Sequence, residues 1–301
     1  MSAATDFAQL LKLTPQAAVA WLVKNGKLTK SFAWQDVWQE EHGEQFTVSR
    51  LARLDLLQAL HDGLVQSVEG DLSRKDWMRD TEELLRSAGW WGKKAVTDPV
   101  TNELVYTTFD PARLKLIYDT NTRQAYSAGL WERIERNKKT HPYVRYISKQ
   151  DERVRVSHKA WNNLTLPVDD PFWVTHGPAN GHRCRCRVMS MSQRDYDKGY
   201  TLDRPGAEIV RIDSETRLPD GKSGRDAPIV KTPLKKVAPE VKWREYINPR
   251  TGKISQVPEG IDPGFAYNPG IARKEALKSV VEGKLKGASP GIAAAAKKDG
   301  L

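Results

Sequence analysis

The stretch "THGPANGHRCRCRVMS" (175–190) concentrates the residue types in this chain that could do chemistry. It holds both cysteines of the 301-residue sequence, Cys184 and Cys186, one residue apart and interleaved with Arg183, Arg185 and Arg187. His176 and His182 stand just upstream, and His158 closes the earlier run "RVRVSH". Thiolates and imidazoles are the donors that tetrahedral zinc prefers, so His158, His182, Cys184 and Cys186 form a candidate set for a structural zinc. Read as a strand, "RCRCRV" puts the two thiols on one face and the three arginines on the other. A plainer reading leaves the thiols as small buried groups behind a ladder of arginines. Spacing speaks against a simple zinc knuckle, because an extended CxC separates its side chains by about 7 Å along the strand.

Catalytic readings have less behind them. A cysteine nucleophile needs a depressed thiol pKa and an oriented base. The arginines could supply the first and His158 or His182 the second, but no spacing fixes their geometry. A zinc deaminase requires a P-C-x-x-C run, which is absent. Neither a G-x-G-x-x-G nor a Walker pattern occurs, so no phosphate loop is indicated. Asp169 and Asp170 precede Pro171 in what reads as a turn rather than an acid–base pair. The expectation is a protein that is not an enzyme; the alternative is a nucleic-acid-acting enzyme or toxin-like effector using the Cys/His/Arg cluster.

Charge supports an anionic partner. The chain carries +10, yet residues 1–100 hold 12 Lys+Arg against 14 Asp+Glu, leaving 36 against 24 for the remainder. Nine Lys/Arg lie between Arg133 and Lys159, with Tyr143 and Tyr146 among them. Arg145, Arg153, Arg155, Arg183, Arg185 and Arg187 are the candidate contacts to nucleic acid or to a protein partner. Phosphate contact of this kind is sequence-independent and salt-sensitive, whereas a protein interface would use the same arginines on carboxylates. Ten tryptophans argue for a packed chain. No run approaches the roughly 18 apolar residues of a membrane span, and the start "MSAATDFAQL" lacks the pattern of a secretory signal.

The elements that must position these groups fall into three regions, predicted as an α+β fold. Residues 1–95 read as a helical N-terminal region. "TPQAAVAWLVKNG" has Thr14 as cap, Pro15 at the first turn and Gly26 as stop, and "SRKDWMRDTEELLRSAG" opens on the pair Ser73/Asp76. The stripes Leu51, Leu54, Leu57, Leu60 or His61, Leu64, Val68 and Trp77, Thr81, Leu84, Leu85, Ala88 are expected to be core faces. Residues 96–200 read as a second unit: a strand over Glu103–Phe109, a helix from Asp110-Pro111 to about Asn137, then a small antiparallel sheet. Period-two alternation in "YVRYIS", "RVRVSH", "LTLPV" and "RCRCRVMSM" supplies its strands. Residues 201–301 combine a Pro/Gly/Lys linker, an extended arm rich in turns and a short basic helix, "RKEALKSVVEGKLKG".

Three blocks carry a resemblance: "LKLIYDTNTRQAYSAG" (114–129), "HPYVRYISKQDERVRVSHKAWNNLTLPVDDPFW" (141–173) and "GPANGHRCRCRVMSMS" (177–192). Two flanking pieces add to it, "SFAWQDVWQEEHGEQFTVSR" (31–50) and "VPEGIDPGFAYNPG" (257–270). Together they resemble the Mu-like phage head morphogenesis family of minor head proteins. The resemblance implies a low-copy structural component of the phage head, made in the host cytoplasm and carried in the virion. Its partners would be the portal protein and the major capsid and scaffold proteins, with double-stranded DNA nearby and no membrane. Related head proteins often place a Cys before the loop and His-x-x-Cys-x-Cys after it. Here the first position falls at His158 and the loop histidine at His176 or His182, which implies either a retained metal or its loss.

Overall fold

The computed structural model describes residues 16–149, 151–203, 210–212, 215–217 and 229–272. The expected cap at Thr14–Pro15, the linker over 218–228 and the basic helix "RKEALKSVVEGKLKG" lie outside them. The chain divides into two compact units, 1–132 with 267–301, and 133–266. The division does not fall at 95/96 or 200/201, where the strands Gly92–Thr97 and Tyr200–Asp203 run on unbroken.

The first unit is mixed rather than wholly helical. Helices α1 (Gln16–Lys24), α2 (Leu54–Glu69) and α3 (Arg74–Ser87) are joined by short 3-10 turns and by a two-residue parallel pair, β1 (Lys27–Leu28) with β2 (Gln45–Phe46). Helix α3 starts as its sequence predicts, with the Ser73 hydroxyl accepting from the Asp76 backbone N–H at 3.1 Å. Leu57, Leu60, Leu64, Trp77 and Leu85 pack into one cluster with Phe46, Trp90 and Phe109. Fully burying such a side chain contributes about 1.5–3 kcal/mol. A six-residue antiparallel hairpin follows, β3 (Gly92–Thr97) with β4 (Leu104–Phe109). Asp110 caps the next helix, α4 (Pro111–Arg136), its carboxylate accepting from the Arg113 N–H at 2.7 Å.

The second unit is built on a three-stranded antiparallel sheet of order β6-β5-β7, with β5 (Tyr143–Ile147), β6 (Thr165–Pro167) and β7 (Arg187–Met191). One of the expected strands is absent and another starts later than its sequence suggests. "RVRVSH" is instead a turn leading into the short helix α5 (Val156–Ala160), so His158 sits on a helix. In "RCRCRVMSM" the strand begins at Arg187, and Cys184–Cys186 lie in the approach to it. Helices α6 (Phe172–His176) and α7 (Gln193–Lys198) flank the sheet. The expected turn at Asp169-Asp170 is present, with the Asp170 carboxylate accepting from the Phe172 N–H at 2.9 Å.

The arm is an integral layer of this unit. Strand β8 (Tyr200–Asp203) pairs with β11 (Val230–Pro233), and Lys235 extends the edge of β6 by donating to Asn163 O and accepting from Thr165 N. A backbone pair, β9 (Val210–Ile212) with β10 (Glu215–Arg217), lies between them in sequence. The hairpin β12 (Trp243–Ile247) with β13 (Ile254–Pro258) then leads into Glu259–Ala266, where Val257 and Ile261 are fully buried.

Candidate metal centre

Helix α5 and the arm together fix His158. Its ring is buried, stacked on Trp161 with centroids 5.1 Å apart. Nε2 lies 2.9 Å from the carbonyl oxygen of Gly260, and since a carbonyl only accepts, Nε2 carries the proton. Nδ1 therefore presents a lone pair. It faces Cys186 Sγ at 3.5 Å and Cys184 Sγ at 3.7 Å. An imidazole whose second nitrogen donates to a backbone carbonyl is the usual arrangement of a metal-ligating histidine.

The cysteines reach this point because the chain turns before the strand starts. Arg183 adopts a left-handed φ of 60° and Cys184 N donates to Gly181 O at 3.1 Å. The turn brings both thiols to the same side, and the three donor atoms lie within 4.8 Å of one another. The spacing objection drawn from an extended CxC therefore does not apply. Zinc bonded to sulfur at about 2.3 Å and nitrogen at about 2.0–2.1 Å in a tetrahedron sets S···N at about 3.6 Å. The two separations found here bracket that value, so these residues fit the metal.

Protonation also suits ligation. Cys184 is lowered to about 4, chiefly by the hydrogen bond from Cys186 and then by His158, against the opposing effect of burial. Cys186 is raised for the complementary reason, because the neighbouring thiolate already holds the charge. The pair thus shares one proton until a cation displaces it, as metal binding to thiols requires. Tyr146 borders Cys186, and its hydroxyl donates to Asn180 Oδ1 at 2.9 Å.

The remaining candidate residues divide by environment. Arg185 makes a two-pronged contact with the buried carboxylate of Asp151, one arm at 2.6 Å, and this holds Asp151 below the usual carboxylate range. Arg155 pairs with Asp262 at 2.7 Å. Arg145 is buried in β5 and donates to Asn163 Oδ1 at 2.7 Å, which corrects its assignment to an exposed contact face. Arg153, Arg183 and Arg187 are exposed. His182 is not drawn into the donor group: its ring is edge-on to Phe265 at 4.8 Å, and its backbone N–H points to Asp262. His176 is buried between Phe172 and Trp161, away from the thiols. The alternation read from the sequence holds in part, with Cys184 and Val188 buried and Arg183 and Arg187 exposed, while Arg185 and Cys186 are both half-buried.

Sequence reasoning did not single out Asp151, Asp262 or Gly260 as site residues. All three act through long-range pairing, and Gly260 is 102 residues from its histidine. A signal for Gly260 exists in the turn "PEGIDPG", since its φ of +87° suits glycine. A cavity of about 200 Å³ opens beside the donors, lined by Lys149, Arg153, Arg155, His182, Arg183 and Arg185 together with His158, Cys184, Cys186 and Val154.

Comparison with known proteins agrees with the resemblance. Residues 58–189, which include His158, Cys184 and Cys186, match the family described as phage Mu protein F like protein. The putative capsid assembly protein F of Escherichia phage Mu is 33% identical over 268 residues, covering 89% of this chain and 56% of that protein. The Mu-like prophage FluMu F protein of Haemophilus influenzae is 30% identical over 193 residues, 64% of this chain and 44% of that one. The chain thus spans about half the length of these relatives. No solved structure matches it. With its thiol–imidazole centre inside the matched block, the chain belongs to the phage Mu protein F-like family.

Proposed function

We propose that this protein is a structural component of a phage head that acts in head assembly. It works through contacts with the portal protein and the capsid and scaffold proteins rather than by catalysis. One observation carries the reading: the centre His158, Cys184, Cys186 is tied to the arm through Gly260 and the Arg155–Asp262 pair, the design of a fold-fastening site. The name of the phage Mu relative, a capsid assembly protein, supplies the setting. The protein is accordingly assigned to the virion head and, during assembly, the host cytoplasm. Packaged double-stranded DNA is the anionic partner for the basic side of residues 133–266.

In this reading a structural zinc is held by His158 Nδ1 and the two thiolates. Bound there, it supplies a cross-link between α5 and the segment entering β7. The chain's own part is to fix the imidazole tautomer through Gly260 and to keep the thiolates together through the turn at Arg183. Mass spectrometry of purified procapsids and DNA-filled virions tests the assignment. Peptides from residues 16–272 should be found in at least one of the two particles; absence from both rejects the head role.

A further inference from the structure

The chain supplies three metal donors where a tetrahedral ion takes four. Among the described residues no fourth His, Cys, Asp or Glu joins the group. The nearby carboxylates are already engaged, Asp151 by Arg185 and Asp262 by Arg155. His182 is held by Phe265 and, through its backbone, by Asp262.

The donors also form one wall of a cavity whose other walls are cationic. Lys149, Arg153, Arg155, Arg183 and Arg185 line it, and no carboxylate does. Two of the five have carboxylate partners within 3 Å and Arg153 reaches Asp151 at 4.0 Å, which leaves Lys149 and Arg183, among the described residues, facing the space without a carboxylate partner. Such a concentration of positive charge in a concave, partly enclosed wall attracts anions. At about 200 Å³ the cavity is smaller than the roughly 300–1,000 Å³ that holds a whole small-molecule ligand, so it suits a single group.

We propose that the fourth coordination position at His158, Cys184 and Cys186 takes a phosphate oxyanion held by Arg183, Lys149 and Arg153. This rests on the metal reading above. Phosphate chemistry is common to a free inorganic ion and to a DNA backbone, and the cavity recognises the group they share. Guanidinium groups and a metal cation together are a favourable pairing for it, because charge-assisted hydrogen bonds and metal–oxygen contact act on the same oxygens.

The test uses the full chain loaded with Co²⁺ in place of zinc, followed by absorption spectroscopy. Thiolate-to-cobalt charge-transfer bands report the metal site, and the visible d–d bands report its coordination. Inorganic phosphate and, separately, a short DNA duplex are titrated against chloride at matched ionic strength. A saturable shift of the d–d bands with phosphate, absent with chloride, is expected; a matching shift with the duplex identifies the DNA backbone as a source, and none identifies the free ion. The Lys149→Ala, Arg153→Ala variant should weaken the phosphate response by about tenfold while keeping the charge-transfer bands. If those bands never form, the metal reading and this proposal both fall. If they form but ignore phosphate and duplex, or if His182→Ala removes a nitrogen ligand from the spectrum, the proposal alone is overturned.

Discussion

At the scale of single residues, His158 shows how a buried imidazole is given one role. Gly260 takes its Nε2 proton and leaves Nδ1 to face two sulfurs, while Trp161 fixes the plane of the ring. His176 shows the opposite outcome with the same side chain. Buried between Phe172 and Trp161, it is lowered to about 4 from the usual 6.5, mainly by loss of solvation. Between those values the unfolded chain binds a proton that the folded chain does not, so stability falls as pH drops from 6.5 and levels off below about 4. The contribution is on the order of 3 kcal/mol. Urea unfolding of wild type and His176→Phe at pH 7 and pH 4 should show the variant losing less stability by roughly that amount. Equal losses would remove His176 from the acid response.

At the scale of elements, the site is where the arm meets the sheet unit. Val257 and Ile261 fill the core, Asp262 N donates to Asn180 O, and Asp262 pairs with Arg155. Gly260 is a close point of this contact: an added Cβ would meet Ser157 Oγ at 2.6 Å and Trp161 at 3.0 Å. Its left-handed φ adds the usual side-chain penalty of about 1–2 kcal/mol. Gly260→Ala should therefore cost about 2 kcal/mol or more in denaturant unfolding and reduce zinc stoichiometry by displacing the acceptor of His158. A variant within 0.5 kcal/mol of wild type, still holding about one zinc per chain, would show that the arm does not fasten the site. The sequence reads this segment as an extended arm rich in turns; burial of Val257, Ile261, Phe265 and Ala266 makes it part of the unit's interior.

At the scale of the whole molecule, charge and chemistry lie on the same side of the chain. The basic excess falls after residue 100, and the thiol–imidazole centre and cationic cavity both lie within residues 133–266. A metal held there acts on the unit that contains it. Removing it by chelation should raise hydrogen exchange in β5, β7 and residues 257–266, with α2 and α3 unchanged, as read by peptide mass spectrometry. Uniform change across both units, or none in either, would contradict a local structural metal.

Much of this architecture follows from local pattern. The caps at Ser73 and Asp110, the apolar stripe of Trp77 and Leu85, and the alternation of β5 depend on neighbours within a few residues, and these elements form where the sequence puts them. The donor types at 158, 184 and 186 are likewise legible, because few side chains bind soft cations. Local pattern misled where a tertiary tie outweighed it. "RVRVSH" alternates like a strand but turns into a helix, with Asp151 drawn to Arg185 on one side of it and His158 to Gly260 on the other. Arg145 looked like surface charge and is buried because Asn163 satisfies it. The sequence by itself determined which chemistry was available, a thiol pair, imidazoles and an excess of cations. Only the tertiary structure decided which histidine meets the thiols and that the thiols converge, since the turn at Arg183 and the pairing of Gly260 with His158 join segments that composition and spacing cannot bring together.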